Sequence, residues 1–126
     1  MKTIIDTIPH SKQRYETPGD YWEEGGVQQI VVSELGDEKM DFLVKLHEFI
    51  EQNLCRFRGI KETDIKLFDE EFELNRKKGN TDEPGFDSKS PYVREHTIAT
   101  GIEFLVAAEL GVDIKEYDKK INSLRQ

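Results

Sequence analysis

The sequence predicts an α+β fold, in which a two- or three-stranded antiparallel sheet is followed by a bundle of about four helices. Apolar and polar residues alternate near the N-terminus, which is typical of strands. From about residue 37 the apolar positions recur every three or four residues, as they do along helices. The length of 126 residues suits a single domain (1–126) with one core, divided into a β-rich part (1–35) and a helical part (37–126).

Two segments near the N-terminus, residues 3–8 and 27–33, are rich in β-branched side chains. In the second segment, Val27, Gln29 and Val31 lie on one side of the predicted strand. The residues between them combine proline, glycine and aromatic side chains, which indicates a long turn or an irregular third strand.

Helical periodicity covers residues 37–57, 62–76 and 90–110 and a short C-terminal segment. Ser90 and Pro91 are typical of an N-cap and a first helical residue. Asp113 and Glu116 have the spacing of a capping box. Residues 78–90 are rich in Gly, Asp, Asn and Pro, and they are predicted to form an exposed loop that could act as a lid.

The charge pattern excludes some partners. The chain carries 26 Asp and Glu against 18 Lys and Arg, a net charge of -8, so its field repels a nucleic-acid backbone. No apolar run approaches the length of a membrane-spanning helix, so we also expect no membrane partner. With Cys55 as the single cysteine, no intrachain disulfide can form, and a cytoplasmic location is expected.

Two predicted helices each place a histidine and a glutamate on an inward face. On the first helix His47 lies in the apolar stripe and Glu51 follows one turn later, and on the third helix His96 shares a face with Glu103. Burying such groups without partners costs several kcal/mol, on the order of the usual penalty for polar burial, so each needs a hydrogen bond or a cation.

If these helices pack antiparallel, two imidazoles and a carboxylate from His47, Glu51 and His96 could bind one divalent metal ion. This is a common ligand set of catalytic zinc, which is therefore expected more than magnesium. Glu48 would then be the general base that accepts a proton from water. Glu103 or Asp69 would orient a ligand.

The stretch HEFIE, residues 47–51, resembles the HExxH helix of zincin metallopeptidases, although Glu51 stands where that motif has its second histidine. The resemblance implies a zincin-like hydrolase. Across most of the chain, the segments IPHSKQRY, GDYW, HEFIEQNLCRFRGI, SPYVREH and AAELGVD are similar to small uncharacterised proteins of phage and prophage origin, which implies a compact accessory protein.

Two other functions stay open. Glu48 and Glu51 on the first helix, with Asp69 and Glu73 on the second, are similar to the ExxE and ExxD acids of magnesium-dependent MazG-type nucleotide pyrophosphohydrolases. Glu73 replaces the final aspartate of that pattern, and that family is all-helical. In the other alternative the protein is a non-enzymatic, acidic interaction module in which the histidines are purely structural.

Overall fold

The computed structural model describes residues 1–76 and 83–124, and it confirms the α+β class. The strands are β1 (Lys2–Ile8), β2 (Gly19–Glu24) and β3 (Val27–Ser33). The α-helices are α1 (Glu38–Phe57), α2 (Glu62–Arg76), α3 (Val93–Glu109) and α4 (Ile114–Ser123). Short 3₁₀ turns form at His10–Lys12 and Pro84–Phe86.

The sheet is mixed, whereas the sequence predicted it to be antiparallel. Its strand order is β1-β3-β2. The β2–β3 pair is antiparallel as expected, but β1 and β3 are parallel, with Lys2 opposite Val27 and Ile8 opposite Ser33. The tight turn at Gly25 and Gly26, both with positive φ, reverses the chain a second time and returns β3 in the direction of β1.

Strand β2 forms one edge of the sheet, and its own chain occupies several of its backbone groups. The Tyr21 amide donates to Asp20 Oδ1 at 2.9 Å, and the Glu23 amide donates to both carboxylate oxygens of Glu62 at 3.0 and 3.1 Å. The Gln52 side chain donates to the Trp22 carbonyl at 3.0 Å. Some backbone groups of β2 therefore already have hydrogen-bond partners within the chain.

Helix α1 packs against β2, β3 and α3. Asp37 caps it by accepting hydrogen bonds from the amides of Lys39 and Met40 at 2.9 and 3.1 Å. Its apolar stripe packs with β3, α3 and α4 into the main core. That core comprises Ile30, Val32, Leu35, Leu43, Val44, Ala107 and Tyr117. The buried face of α1 is shifted from the apolar periodicity that predicted the helix, because Phe42 is exposed and the fully buried positions include polar residues. These positions are Leu43, Val44, His47, Glu48, Glu51, Gln52 and Cys55.

The third helix begins later than predicted. Its first residue is Val93, while Ser90 accepts a hydrogen bond from the Tyr92 amide at 3.2 Å within a turn that precedes the helix. The predicted loop 78–90 falls partly on residues 77–82, which lie outside the described residues. Within residues 1–76 and 83–124, no helix is long and apolar enough to cross a bilayer.

Candidate metal centre between α1 and α3

Helices α1 and α3 bring together the histidines and glutamates that the sequence singled out. His47 on α1 contacts Glu103 on α3, and Glu51, one turn later on α1, contacts His96, two turns earlier on α3. Residues further along α1 contact residues earlier in α3, so the two helices run antiparallel. This arrangement confirms the packing on which the predicted convergence depended.

Three ligand atoms point at one another in the centre of this helix pair. His47 Nε2 lies 3.1 Å from His96 Nδ1 and 3.3 Å from Glu51 Oε1, and His96 Nδ1 lies 2.7 Å from Glu51 Oε1. The side chains of His47, Glu51 and His96 are only 7%, 6% and 13% exposed. We call these three residues the His/Glu cluster, a group that could hold a metal ion.

The separations in the His/Glu cluster fit a tetrahedral ion. Two ligand atoms that each lie about 2.1 Å from zinc are about 3.4 Å apart at a tetrahedral angle. Two of the observed separations, 3.1 and 3.3 Å, are close to that value. The third is a hydrogen bond of 2.7 Å, so it would lengthen by about 0.7 Å on replacement by two metal bonds.

Glu103 fixes the orientation of the His47 ring. Its Oε1 lies 2.7 Å from His47 Nδ1, and its Oε2 accepts a hydrogen bond of 2.5 Å from the Tyr117 hydroxyl on α4. A proton on Nδ1 that is donated to Glu103 leaves Nε2 as a lone-pair donor facing the cluster. Carboxylates in this position orient metal-binding histidines in many proteins.

The segment after α2 fixes His96 from the opposite side. Glu83 Oε2 lies 3.6 Å from His96 Nε2, which is ion-pair distance but too long for a hydrogen bond. The Phe86 ring meets the His96 ring edge-on, with centroids 4.5 Å apart. A Cβ at Gly85 would overlap the His96 ring, so only glycine permits this approach.

Glu48 is buried in the same region. It is 8% exposed, and none of residues 1–76 and 83–124 forms a hydrogen bond or an ion pair with its carboxylate. Gly19 at the start of β2 makes room for it, because a Cβ there would lie 2.6 Å from Glu48 Cγ. Burial, and then the charge of Glu51, raise the pKa of Glu48 well above its usual range.

In the His/Glu cluster, the buried carboxylates and imidazoles stabilise each other's charged forms. Burial alone would raise the pKa of Glu51, but hydrogen bonds with His47 and His96 hold that pKa at about 2. Burial would likewise lower the histidine pKa values. Instead, the nearby carboxylates of Glu51 and Glu83 raise the pKa of His96 to about 9, and those of Glu103 and Glu51 raise the pKa of His47 well above its usual range.

The His/Glu cluster lines a cavity of about 440 Å³ that also contains the other predicted site residues. Asp69 and Glu73 reach it from α2, where Asp69 accepts a hydrogen bond of 2.5 Å from Tyr92 and Glu73 pairs with Arg76 at 3.1 Å. Eight described carboxylates line the cavity: Asp20, Glu48, Glu51, Asp69, Glu73, Glu83, Glu103 and Asp118. No described Lys or Arg lines it.

Every site residue singled out in the sequence therefore reaches this cavity, and sequence reasoning missed two contributors. Tyr117 was recognisable only as a member of the apolar seam of α4, and Glu83 lies in a segment without periodicity.

Comparisons with models of protein families, with curated proteins and with solved structures found no match to this chain.

Proposed function

We propose that this protein is a zinc-dependent hydrolase of the zincin-like type, in which His47, Glu51 and His96 hold the ion. The observation that carries the proposal is the convergence of three ligand atoms within 2.7–3.3 Å of one another. Two imidazoles and one carboxylate leave a fourth tetrahedral position open, which is the arrangement of catalytic zinc. Zinc would polarise a scissile carbonyl and acidify water at that position.

Glu48 is the general base in this proposal. It follows His47 directly on α1, lines the same cavity and has no competing partner among the described residues. Burial raises the pKa of this carboxyl, so its ionised form is a stronger base toward water than a free carboxylate and can return the proton to a leaving group. Glu103 and Glu83 keep the two imidazoles in place and do not touch the substrate.

Metal content and hydrolysis test the proposal separately. We expect about one zinc per chain by elemental analysis, and a melting temperature that falls on chelation, since an ion that binds only the folded state stabilises it. Glu48→Gln should keep the zinc and lower the hydrolysis of a peptide or ester by at least about 100-fold. Glu109→Gln, at the exposed end of α3, is the control and should behave like the wild type.

Metal-free protein with an unchanged melting temperature would instead support the non-enzymatic interaction module. If zinc binds but Glu48→Gln keeps full hydrolytic activity, the metal proposal stands and the role of Glu48 does not.

One observation favours a second candidate, a magnesium-dependent pyrophosphohydrolase of the MazG type. The four acids that this function requires, Glu48, Glu51, Asp69 and Glu73, all line one cavity. Two features weigh against it. Arg76 already pairs with Glu73, and no described Lys or Arg lines the cavity to bind the phosphates of a nucleotide. Glu73→Gln should abolish this activity but spare a zinc hydrolase.

A further inference from the structure

Among the described residues that line the cavity around the His/Glu cluster, the acids outnumber the two charges of one zinc ion. Eight described carboxylates line it and no described Lys or Arg does. Arg14 pairs with Asp20 and Arg76 pairs with Glu73 from outside the lining, and five other lining acids form no ion pair with a described Lys or Arg: Glu48, Glu51, Asp69, Glu103 and Asp118. Such a field attracts cations and repels phosphate or carboxylate substrates.

The buried acid Glu48 is a second and independent sign that a ligand belongs in the cavity. A carboxylate that is 8% exposed and has no partner among the described residues is costly to ionise unless a cation lies beside it. A cavity of about 440 Å³ is large enough to admit a small organic group next to the cluster.

Asp69 is the acid best placed to meet a cationic group. It lies on α2 and therefore on a different wall from the ligand residues of α1 and α3. Its Oδ1 accepts the Tyr92 hydroxyl at 2.5 Å, while Oδ2 has no hydrogen-bond or ion-pair partner among residues 1–76 and 83–124. Tyr92 is 4% exposed, so its hydrogen bond holds the carboxylate on a rigid support.

We infer that the cavity selects substrates with a guanidinium or ammonium group, which pairs with Asp69 while the bond to be cleaved lies at the His/Glu cluster. The inference rests on the proposed hydrolase function and names its substrate class: amides or esters next to a positive charge. Burial raises the pKa of Asp69 to about 7, which is the condition of an acid that lacks its cation.

The test compares two isosteric probes on the zinc-loaded protein by isothermal titration calorimetry at pH 8 and low salt. Nα-acetyl-argininamide carries a guanidinium, and Nα-acetyl-citrullinamide replaces it with a neutral urea group of the same shape. We expect the arginine probe to bind at least about tenfold more tightly, since a charge-assisted hydrogen bond replaces a neutral one. Non-acetylated citrullinamide shows whether a free α-amine can serve as the cation instead.

Asp69→Asn keeps the hydrogen bond from Tyr92 and should reduce the preference to about twofold or less, because only the charge is lost. Asp64→Asn, at an exposed position of the same helix, should leave the preference unchanged. Equal binding of both acetylated probes by the wild type overturns the inference, and so does an undiminished preference in Asp69→Asn.

Zinc content is measured in the same samples. A protein that binds no zinc but still prefers the arginine probe contradicts the hydrolase proposal and leaves the cation subsite standing. A protein that binds zinc and hydrolyses neutral substrates as well as cationic ones contradicts the subsite alone.

Discussion

At the scale of single residues, the cluster depends on a glycine that has no chemistry of its own. Gly85 lies against the His96 ring so closely that a Cβ would overlap Cγ and Nδ1. These atoms belong to a rigid ring whose Nδ1 is held by Glu51, so the ring cannot move aside without leaving the cluster.

We therefore predict that Gly85→Ala lowers zinc affinity by about 10- to 100-fold, the range seen when a metal-binding histidine loses its support. Competition with a chromogenic chelator measures the affinity. Gly101→Ala is the matched control, because nothing lies within 4 Å of a Cβ at that position. Equal zinc affinity in both variants would show that the 83–86 segment moves freely away from His96.

The residues of the His/Glu cluster and Glu103 were predictable from the sequence, but the residue that supports His96 from the other side was not. The sequence shows four polar residues on otherwise apolar helix faces: His47, Glu51, His96 and Glu103. Glu83 belongs to a segment whose position depends on tertiary packing against α3. Such contacts produce no periodic pattern in the sequence.

At the scale of elements, β2 and α1 meet where Gly19 faces Glu48. A Cβ at Gly19 would lie 2.5 Å from Glu48 Oε1 and 2.6 Å from Cγ, so an alanine would force the Glu48 side chain into another rotamer. The contact places the beginning of an edge strand directly against the proposed general base.

We predict that Gly19→Ala keeps the zinc but lowers the hydrolytic turnover number at least about tenfold, because the base is moved and the metal ligands are not. Steady-state kinetics with zinc analysis measure both quantities. Turnover that equals the wild-type value in a well-folded Gly19→Ala protein would remove Glu48 from the mechanism.

Helices were more predictable than strand directions. The bounds of α1 and α2 agree with the periodic pattern to within about a residue, since buried faces of long helices repeat many times. The parallel pairing of β1 with β3 depends on where residues 9–18 carry the chain, and neither strand encodes that path. The predicted N-cap at Ser90 is wrong for a local reason, because its hydroxyl stabilises a turn before α3 instead of capping that helix.

At the scale of the whole molecule, stability depends on pH through Asp69. The folded-state pKa of about 7 lies above the ordinary value of 3.8 because of burial, with the charges of Asp20 and Glu51 adding to the shift. Tyr92 and Arg14 also face this acid and oppose the shift. The folded state therefore holds the proton more tightly than the unfolded state does.

The stabilisation is fully present below about pH 4 and is lost as the pH rises through about 7. The difference between the two pKa values of Asp69 sets an upper limit of about 4 kcal/mol on it. Urea unfolding of the zinc-free protein at pH 4 and pH 8 should show a loss of stability in the wild type that is about 2 kcal/mol or more larger than in Asp69→Asn. Identical losses in the two proteins would contradict the assignment.

The carboxylates that occupy the amides of β2 also limit how copies of this molecule meet. A bare strand edge offers a template on which a neighbouring chain can pair and extend the sheet. Here a neighbouring chain would have to displace Glu62 from the Glu23 amide and Asp20 from the Tyr21 amide before its own backbone carbonyls could accept those hydrogen bonds. Sheet growth from this side is therefore disfavoured even in concentrated solution.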